Sequence, residues 1–374
     1  MKRHLFLIPG FFGFANLGDF TYWGPVREKL RALLDSERNA TSIHCVKSLP
    51  TASLRTRTRV LLDAIVAARP APGDSIHLIG HSTGGLDARL LLTPAVDLAT
   101  RRDTERIARR VRSTVSISTP HHGAPIATFF TSILGQKLLR LLSLLTMAAL
   151  RRGQMPLSVW TRVAGLFALP PTLDKTTGSL IAQIYDQLLV NFDDSRRVEV
   201  EELLGEVQRD QSLLTQLTVE ASDLFNAAAG NRSSVRYGSV VTKARAPRLD
   251  ALMEIGLQPT DQAQWALYYS LSRLAAAEEI PTLSRAHRSA LKKYYGSVPG
   301  PAANDGIVPT LSQPWGECIA AVQADHLDII GHHAQSPGDP EQHYDWLVTQ
   351  SGFHEADFDA VWRGVAAFIV EAES

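Results

Sequence analysis

The stretch Ser75-Ile76-His77-Leu78-Ile79-Gly80-His81-Ser82-Thr83-Gly84-Gly85-Leu86-Asp87 decides how this chain is read. Ser75–Ile79 is a short apolar run of strand character, and residues 83–92 continue at helical spacing. Between them, Gly80-His81-Ser82-Thr83-Gly84 is a G-x-S-x-G pentapeptide in the strand, turn and helix setting that gives such a motif meaning. Glycines at 80 and 84, with Gly85 adjacent, let strand and helix close tightly around a strained serine backbone. The serine hydroxyl is then presented at the carboxyl end of the sheet, near the positive end of a helix dipole. Ser82 is the candidate nucleophile. A glycine-rich turn with a capping serine is the plainer alternative.

Working outward, Leu5–Ile8, Thr41–Val46 and Thr114–Ile117 read as further strands, with residues 24–35 and 51–69 as helices. This alternation predicts an α/β fold, a mostly parallel sheet with helices on both faces. The rhythm stops after Gly123. Residues 124–231 carry only helical patterns, at 133–150, 176–192 and 195–229, with Pro156 and Pro170-Pro171 bracketing another short apolar segment. A strand returns at Val235–Val241. After a partly helical excursion over 244–295 come a last strand at Cys318–Val322 and a closing helix at 355–371. Two parts are expected: a core of residues 1–123 and 232–374, and an all-helical insertion of residues 124–231. In 133–150, Gln136, Arg140 and Ser143 form a narrow polar stripe on an otherwise apolar helix. Its broad face must be buried against the core, neighbouring helices or a lipid-like surface. The insertion is therefore expected to be a mobile cap over Ser82, touching lipid surfaces transiently. A static helical subdomain that only shapes the pocket is the alternative.

Composition sets outer limits. With 45% apolar and 20% charged residues, the chain is ordinary for a soluble globular protein. Its 38 basic side chains balance 38 acidic ones. That balance speaks against a nucleic-acid partner, and Arg101-Arg102 and Arg109-Arg110 read as solvated helix faces. Cys45 and Cys318 both sit in strand-like runs. Free thiols are expected, with one disulfide as the alternative. Met1-Lys2-Arg3 before Leu5–Ile8 only superficially suggests an export signal, because Pro9-Gly10 breaks the run and no small-residue cleavage site follows. A cytoplasmic protein is expected. Residues 133–150 contain Gln136, Lys137 and Arg140, so no membrane span is expected there.

The remaining chemistry lies on two loops. Asn304-Asp305-Gly306-Ile307-Val308-Pro309 offers Asp305, and Ala324-Asp325-His326-Leu327-Asp328 offers His326 directly after the last strand. The chain order Ser, acid, His suits a triad in which His326 takes the Ser82 proton and Asp305 fixes the imidazole tautomer. Asp325 and Asp328 are rivals for the acid, and His332, His333 and His343 for the base. Pro9-Gly10-Phe11-Phe12-Gly13 follows the first strand, where α/β-hydrolases carry one oxyanion-hole amide. The expected donors are the backbone N–H groups of Phe11 and Thr83, with Phe12 and Phe14 bordering an apolar substrate pocket.

With these pieces in order, the chain resembles the bacterial triacylglycerol lipases of the Pseudomonas and Burkholderia type. The matching segments are Pro9–Phe14, Gly80–Asp87, Ser118–Gly123, Leu217–Ala228, Asn304–Pro309 and His326-Leu327-Asp328. The resemblance implies an α/β-hydrolase fold, a lid at the helical insertion and the triad Ser82, Asp305, His326. Pro9-Gly10 stands where those lipases usually have His-Gly. They also carry a structural calcium held by two aspartates near the catalytic histidine. Asp328 matches one ligand, but His332 stands four residues later and is a poor ligand for a hard cation. Asp250 is the other carboxylate to consider. His121-His122 suggests zinc only until one notes that adjacent strand residues point to opposite faces. No metal and no cofactor are expected.

The reading is a serine-dependent carboxylic-ester hydrolase acting on an apolar, small or lipid-like ester through an acyl-enzyme. The alternatives are an acyltransferase with the same triad, a hydrolase of lactones, amides or polyesters, and a non-catalytic binding protein on a hydrolase scaffold.

Overall fold

A computed structural model of the chain describes residues 2–11, 22–35, 40–152, 155–168, 175–190, 192, 194–248, 255, 257–277, 279, 281–333 and 346–374. Six strands form one sheet: β1 (Arg3–Ile8), β2 (Thr41–Cys45), β3 (Ser75–His81), β4 (Val111–Ile117), β5 (Arg236–Lys243) and β6 (Glu317–Gln323). Their order is β2-β1-β3-β4-β5-β6, and every neighbouring pair is parallel. β3, which leads to Ser82, therefore lies inside the sheet with β1 and β4 beside it. All parallel strands present their carboxyl ends at one edge, so Ile8, His81, Ile117, Lys243 and Gln323 feed loops into the same region.

Helices cover both faces because alternate strand residues point opposite ways. Leu5 and Leu7 pack with α1 (Gly24–Leu34), while Phe6 and Ile8 pack with α2 (Leu54–Ala68) and α3 (Gly84–Leu92). α4 (Thr104–Ala108) joins this second face through Ile107 and Ala108. The helix ends follow local chemistry. Ser53 caps α2 by accepting from the Thr56 N–H, and Pro25 sits in the first turn of α1, where its missing N–H costs nothing.

Among the described residues, seven helices connect β4 to β5: α5 (Pro125–Phe130), α6 (Ile133–Arg152), α7 (Leu157–Ala168), α8 (Lys175–Leu189), α9 (Asp194–Arg209), α10 (Ser212–Gln216) and α11 (Val219–Ala228). The single helical pattern over 195–229 is thus three helices. Asp210 accepts the N–H of Ser212 at one break, and Thr218 caps α11 at the other. The broad apolar face of α6 is consumed inside the protein. Leu138, Leu139, Leu141, Leu142 and Leu144 are fully buried, and α5, α7, α8 and α9 all pack on this helix. Even its polar stripe is absorbed. Ser143 donates to the Leu139 carbonyl at 2.9 Å, and Arg140 lies over the Tyr185 ring on α8. These helices share one continuous apolar core with the α1 face of the sheet.

Beyond β5 come α12 (Pro259–Ala275) and α13 (Arg285–Tyr295), and α14 (Glu355–Glu371) packs beside α1. Cys45 on β2 and Cys318 on β6 are free and lie on opposite edge strands. At about 4.8 Å per strand step they are roughly 24 Å apart across the sheet, far beyond the reach of a disulfide. Among the described residues no helix is long and apolar enough to cross a membrane.

The amino ends of the strands are tied to the end of the chain through Glu373. Its carboxylate accepts hydrogen bonds from Arg3, from Ser75 at 2.5 Å and from His77 at 3.2 Å. Burial alone would raise its pKa, but hydrogen bonds from His77, Arg3 and Ser75 outweigh that and hold it well below the usual carboxylate range. A depressed carboxylate stabilises the fold above its unfolded pKa of about 4.3 and loses that effect as pH falls through its folded value. Glu373→Gln should therefore lower stability by about 1–3 kcal/mol at neutral pH. Urea midpoints of the two proteins should converge as the pH drops below about 4; a gap independent of pH would show that charge is not the cause.

Candidate active site

Ser82 follows directly on β3 and holds φ at +53°, the left-handed region that side chains rarely adopt. The turn is fixed on both sides. Its N–H donates to the Ile117 carbonyl at 2.8 Å, and its carbonyl accepts from the Gly85 N–H at 3.1 Å. A Cβ on Gly80 would collide with the Gly84 and Gly85 backbone, and one on Gly84 with the Ile8 carbonyl. Strand, turn and helix can close only with hydrogen at these positions. Gly10 obeys the same constraint from the other side. A Cβ there would lie 2.5 Å from Ser82 Cβ and 3.0 Å from Ser82 Oγ, so the loop after β1 runs directly against the serine.

Phe11 and Thr83 both line the small pocket that holds Ser82. Thr83 stands at the amino end of α3, and its N–H makes no hydrogen bond among the described residues. The loop carrying Phe11 is anchored by charge. Arg57 on α2 and Asp87 on α3 form a fully buried ion pair at 2.7 Å. The same guanidinium donates to the carbonyls of Pro9 at 2.9 Å and Leu49 at 2.6 Å. One cation thus joins the Phe11 loop, both helices and the segment after β2. Phe12 and Phe14, expected at the pocket rim, lie outside the described residues.

Asp305 and His326 are brought together. The imidazole Nδ1 stands 2.9 Å from Asp305 Oδ2, and the His326 N–H donates to the Asp305 carbonyl at 3.0 Å. A carboxylate only accepts, so Nδ1 carries the proton and Nε2 presents a lone pair. The Asp305 side chain is fully buried and well supplied with donors. Oδ1 accepts from the N–H groups of Ile307 and Val308, and Oδ2 also accepts from Thr242 Oγ1 at 2.8 Å. Gln313 donates to the same oxygen at 3.3 Å and accepts the Thr242 N–H at 2.7 Å. Ser118 Oγ extends the chain to Thr242 at 2.7 Å. Thr242, Gln313 and Ser118 were not singled out in the sequence, where a polar residue at a strand end carries no signal of what it will meet.

His326 Nε2 is buried and has no hydrogen-bond partner among the described residues, so it is not bonded to Ser82 Oγ. The two are linked through the residue between them. The His81 and His326 rings lie 4.7 Å apart, and His81 Nε2–H donates to the His326 carbonyl at 2.8 Å. His81 Nδ1 must then accept, and Tyr22 Oη donates to it while accepting the Gly10 N–H at 3.3 Å. Burial, with the neighbouring His326, pushes His81 well below the usual imidazole pKa and keeps it neutral. This directional chain ties the Gly10 loop, the Ser82 turn and the His326 loop.

The rival residues are otherwise engaged. Asp325 accepts from the N–H groups of Leu327 and Asp328 and from Thr349 Oγ1, and Asp328 accepts from the Asp325 N–H. His333 faces Glu355 at 3.5 Å, the His332 N–H bonds the Leu327 carbonyl, and His343 and Asp250 lie outside the described residues. Asp325 and Asp328 spend their oxygens on the turn itself. Among the described residues no group of three His, Cys, Asp or Glu is placed to hold a metal. His121 accepts from Arg89 at 3.1 Å and pairs with Ser116 at 2.9 Å, so its nitrogens are used structurally.

Two stability tests follow. Asp87→Ala strands a buried guanidinium and should cost about 3–5 kcal/mol, read from the urea midpoint. Burial, with the nearby Asp305 charge, raises Asp325 to about 7, and burial next to Asp325 raises Asp328. An acid raised by folding stabilises most when protonated, below its unfolded pKa of about 3.9, and this is lost as pH climbs toward its folded value. Stability should therefore decline between about pH 4 and 7, and Asp325→Asn should flatten that decline. An unchanged slope in the variant would assign the titration elsewhere.

No protein-family model matches the chain, and no curated protein matches it. Solved structures do. The Staphylococcus hyicus lipase superposes with a TM-score of 0.51 at 13% identity, covering 100% of this chain and 96% of that one. A metagenomic carboxyl esterase gives 0.48 at 17% identity over 99% and 76% of the two chains. Lipase 1 of Pelosinus fermentans gives 0.48 at 16% identity over 94% and 97%. At these identities the likeness is one of fold, and with the parallel sheet and the turn after β3 it makes this an α/β-hydrolase fold.

Proposed function

We propose that the chain is a serine-dependent carboxylic-ester hydrolase working through an acyl-enzyme. The observation that carries this is the Asp305–His326 hydrogen bond, which leaves a buried, partnerless Nε2 beside the strained turn that holds Ser82. The resemblance to the Pseudomonas and Burkholderia lipases supports the same assignment. In this reading Ser82 Oγ attacks the ester carbonyl while His326 Nε2 takes its proton, across a gap that tightens when substrate fills the site. The Phe11 and Thr83 N–H groups receive the negative charge on the carbonyl oxygen. His326 then gives its proton to the departing alcohol, and water activated by the same nitrogen releases the acid. Asp305 stays ionised throughout and stabilises the imidazolium. Helices α5, α6 and α10 form the cap over the apolar side of the site. The substrate is accordingly an apolar ester.

A fluorophosphonate probe should label the native protein at Ser82, and Ser82→Ala should abolish both labelling and hydrolysis of p-nitrophenyl butyrate. Asp305→Asn should keep the fold and lose activity on the order of ten-thousand-fold, whereas Asp325→Asn and Asp328→Asn should lose far less. Labelling that persists in Ser82→Ala would remove Ser82 from the role. Near-native turnover in Asp305→Asn would pass the acid role to a neighbouring aspartate.

A further inference from the structure

The pocket at Ser82 is small, apolar and built on anchored walls. Only Ser82 and Thr83 contribute hydroxyl-bearing side chains to it; the rest of its lining is carbon, with Ala127 and Phe130 from α5, Leu139 from α6 and Leu214 from α10. It is a small cavity of about 40 Å³, open on one side.

The walls do not stand free of the core. The Leu213 N–H at the start of α10 donates to the Thr51 carbonyl at 3.0 Å, and Gln216 accepts the Leu54 N–H at 2.8 Å. Ala124, which precedes α5, donates to the Leu217 carbonyl at 2.9 Å. Gly123 beside it gives its carbonyl to Ser312 Oγ at 2.7 Å. Leu139 is held in turn because α6 rests on α5 at Gly135, where a Cβ would collide with the Phe129 carbonyl. Leu139 and Phe130 are themselves 0% and 4% exposed, so neither can swing outward without opening the packing around it. Widening this pocket therefore disturbs the packing of Leu139 and Phe130 and the hydrogen bonds that tie α10 to residues 51–54.

We infer that the acyl pocket favours short acyl chains over long ones, with Leu139 and Phe130 setting the limit. This rests on the ester-hydrolase reading and adds the substrate class. Acetyl and butyryl groups suit a cavity of this size. Longer chains must displace Leu139, and one methylene too many in an apolar pocket changes relative rates by about ten- to two-hundred-fold.

The test is kcat/KM for p-nitrophenyl acetate, butyrate, hexanoate, octanoate and dodecanoate, each below its solubility limit. The native protein should peak at acetate or butyrate and fall at least about tenfold by octanoate. Leu139→Ala should raise the octanoate-to-acetate ratio at least about tenfold. Phe130→Leu, a milder change, should move the ratio the same way and guards against a poorly folded first variant. A native profile that rises to octanoate or dodecanoate overturns the inference while leaving the ester-hydrolase reading intact. So does a ratio unmoved in both variants. Absence of hydrolysis at every chain length overturns both.

Discussion

Ser82 is held with its backbone in the left-handed region, a conformation that costs a residue with a side chain about 1–3 kcal/mol. The surroundings enforce it. The Ile117 carbonyl takes the Ser82 N–H, Gly80 lies against Gly84, and Gly84 lies against the Ile8 carbonyl. Release of any of these contacts would let the turn relax, and the hydroxyl would no longer point out of the sheet edge. The packing of β1, β3, β4 and α3 against one another and the placing of Ser82 at the carboxyl end of the sheet are thus one fact seen from two sides.

Near this turn, the buried charged groups Arg57, Asp87 and Asp305 are satisfied, as the low polarity of an interior demands. Arg57 and Asp87 neutralise each other while the guanidinium also serves the Pro9 and Leu49 carbonyls. Asp305 receives donors from Ile307, Val308, Thr242, Gln313 and His326. His326 Nε2 is left without a partner among the described residues, and its ring lies 4.7 Å from that of His81, the residue before Ser82. A buried acceptor left open beside a candidate nucleophile is what proton transfer needs.

The helices between β4 and β5 show how an amphipathic pattern fixes a requirement for burial while leaving the choice among partners to the tertiary structure. The pattern over 133–150 demanded burial of a wide apolar face, and burial is what α6 obtains. Its partners are α5, α7, α8 and α9, with Leu139 reaching the Ser82 pocket. The hydrogen bonds from Leu213 and Ala124 stitch the same group of helices to the segments beside the site. These helices and the sheet below share one apolar core, so the shape of the pocket is coupled to the packing of the whole α1 face.

The alternation of strands and helices was legible along the chain, and so was the G-x-S-x-G turn, because side-chain period and glycine spacing are local properties. Asp305 and His326 were legible as candidates from chain order, with Asp325 and Asp328 much nearer to the histidine in sequence. Tertiary structure separated them. The turn at 325–328 directs both rival carboxylates to its own N–H groups, while Asp305 meets the imidazole ring. Thr242 and Gln313, which support Asp305, left no mark in the sequence: Thr242 lies 63 residues from Asp305 and 71 from Gln313. The cysteines followed the same rule, read as strand residues from local composition but parted by the order of the sheet. Local sequence determined which elements form and where the strained turn falls, since those depend on interactions within a few residues. Which side chains face one another across the site was decided only when the strand order brought distant loops to one edge of the sheet.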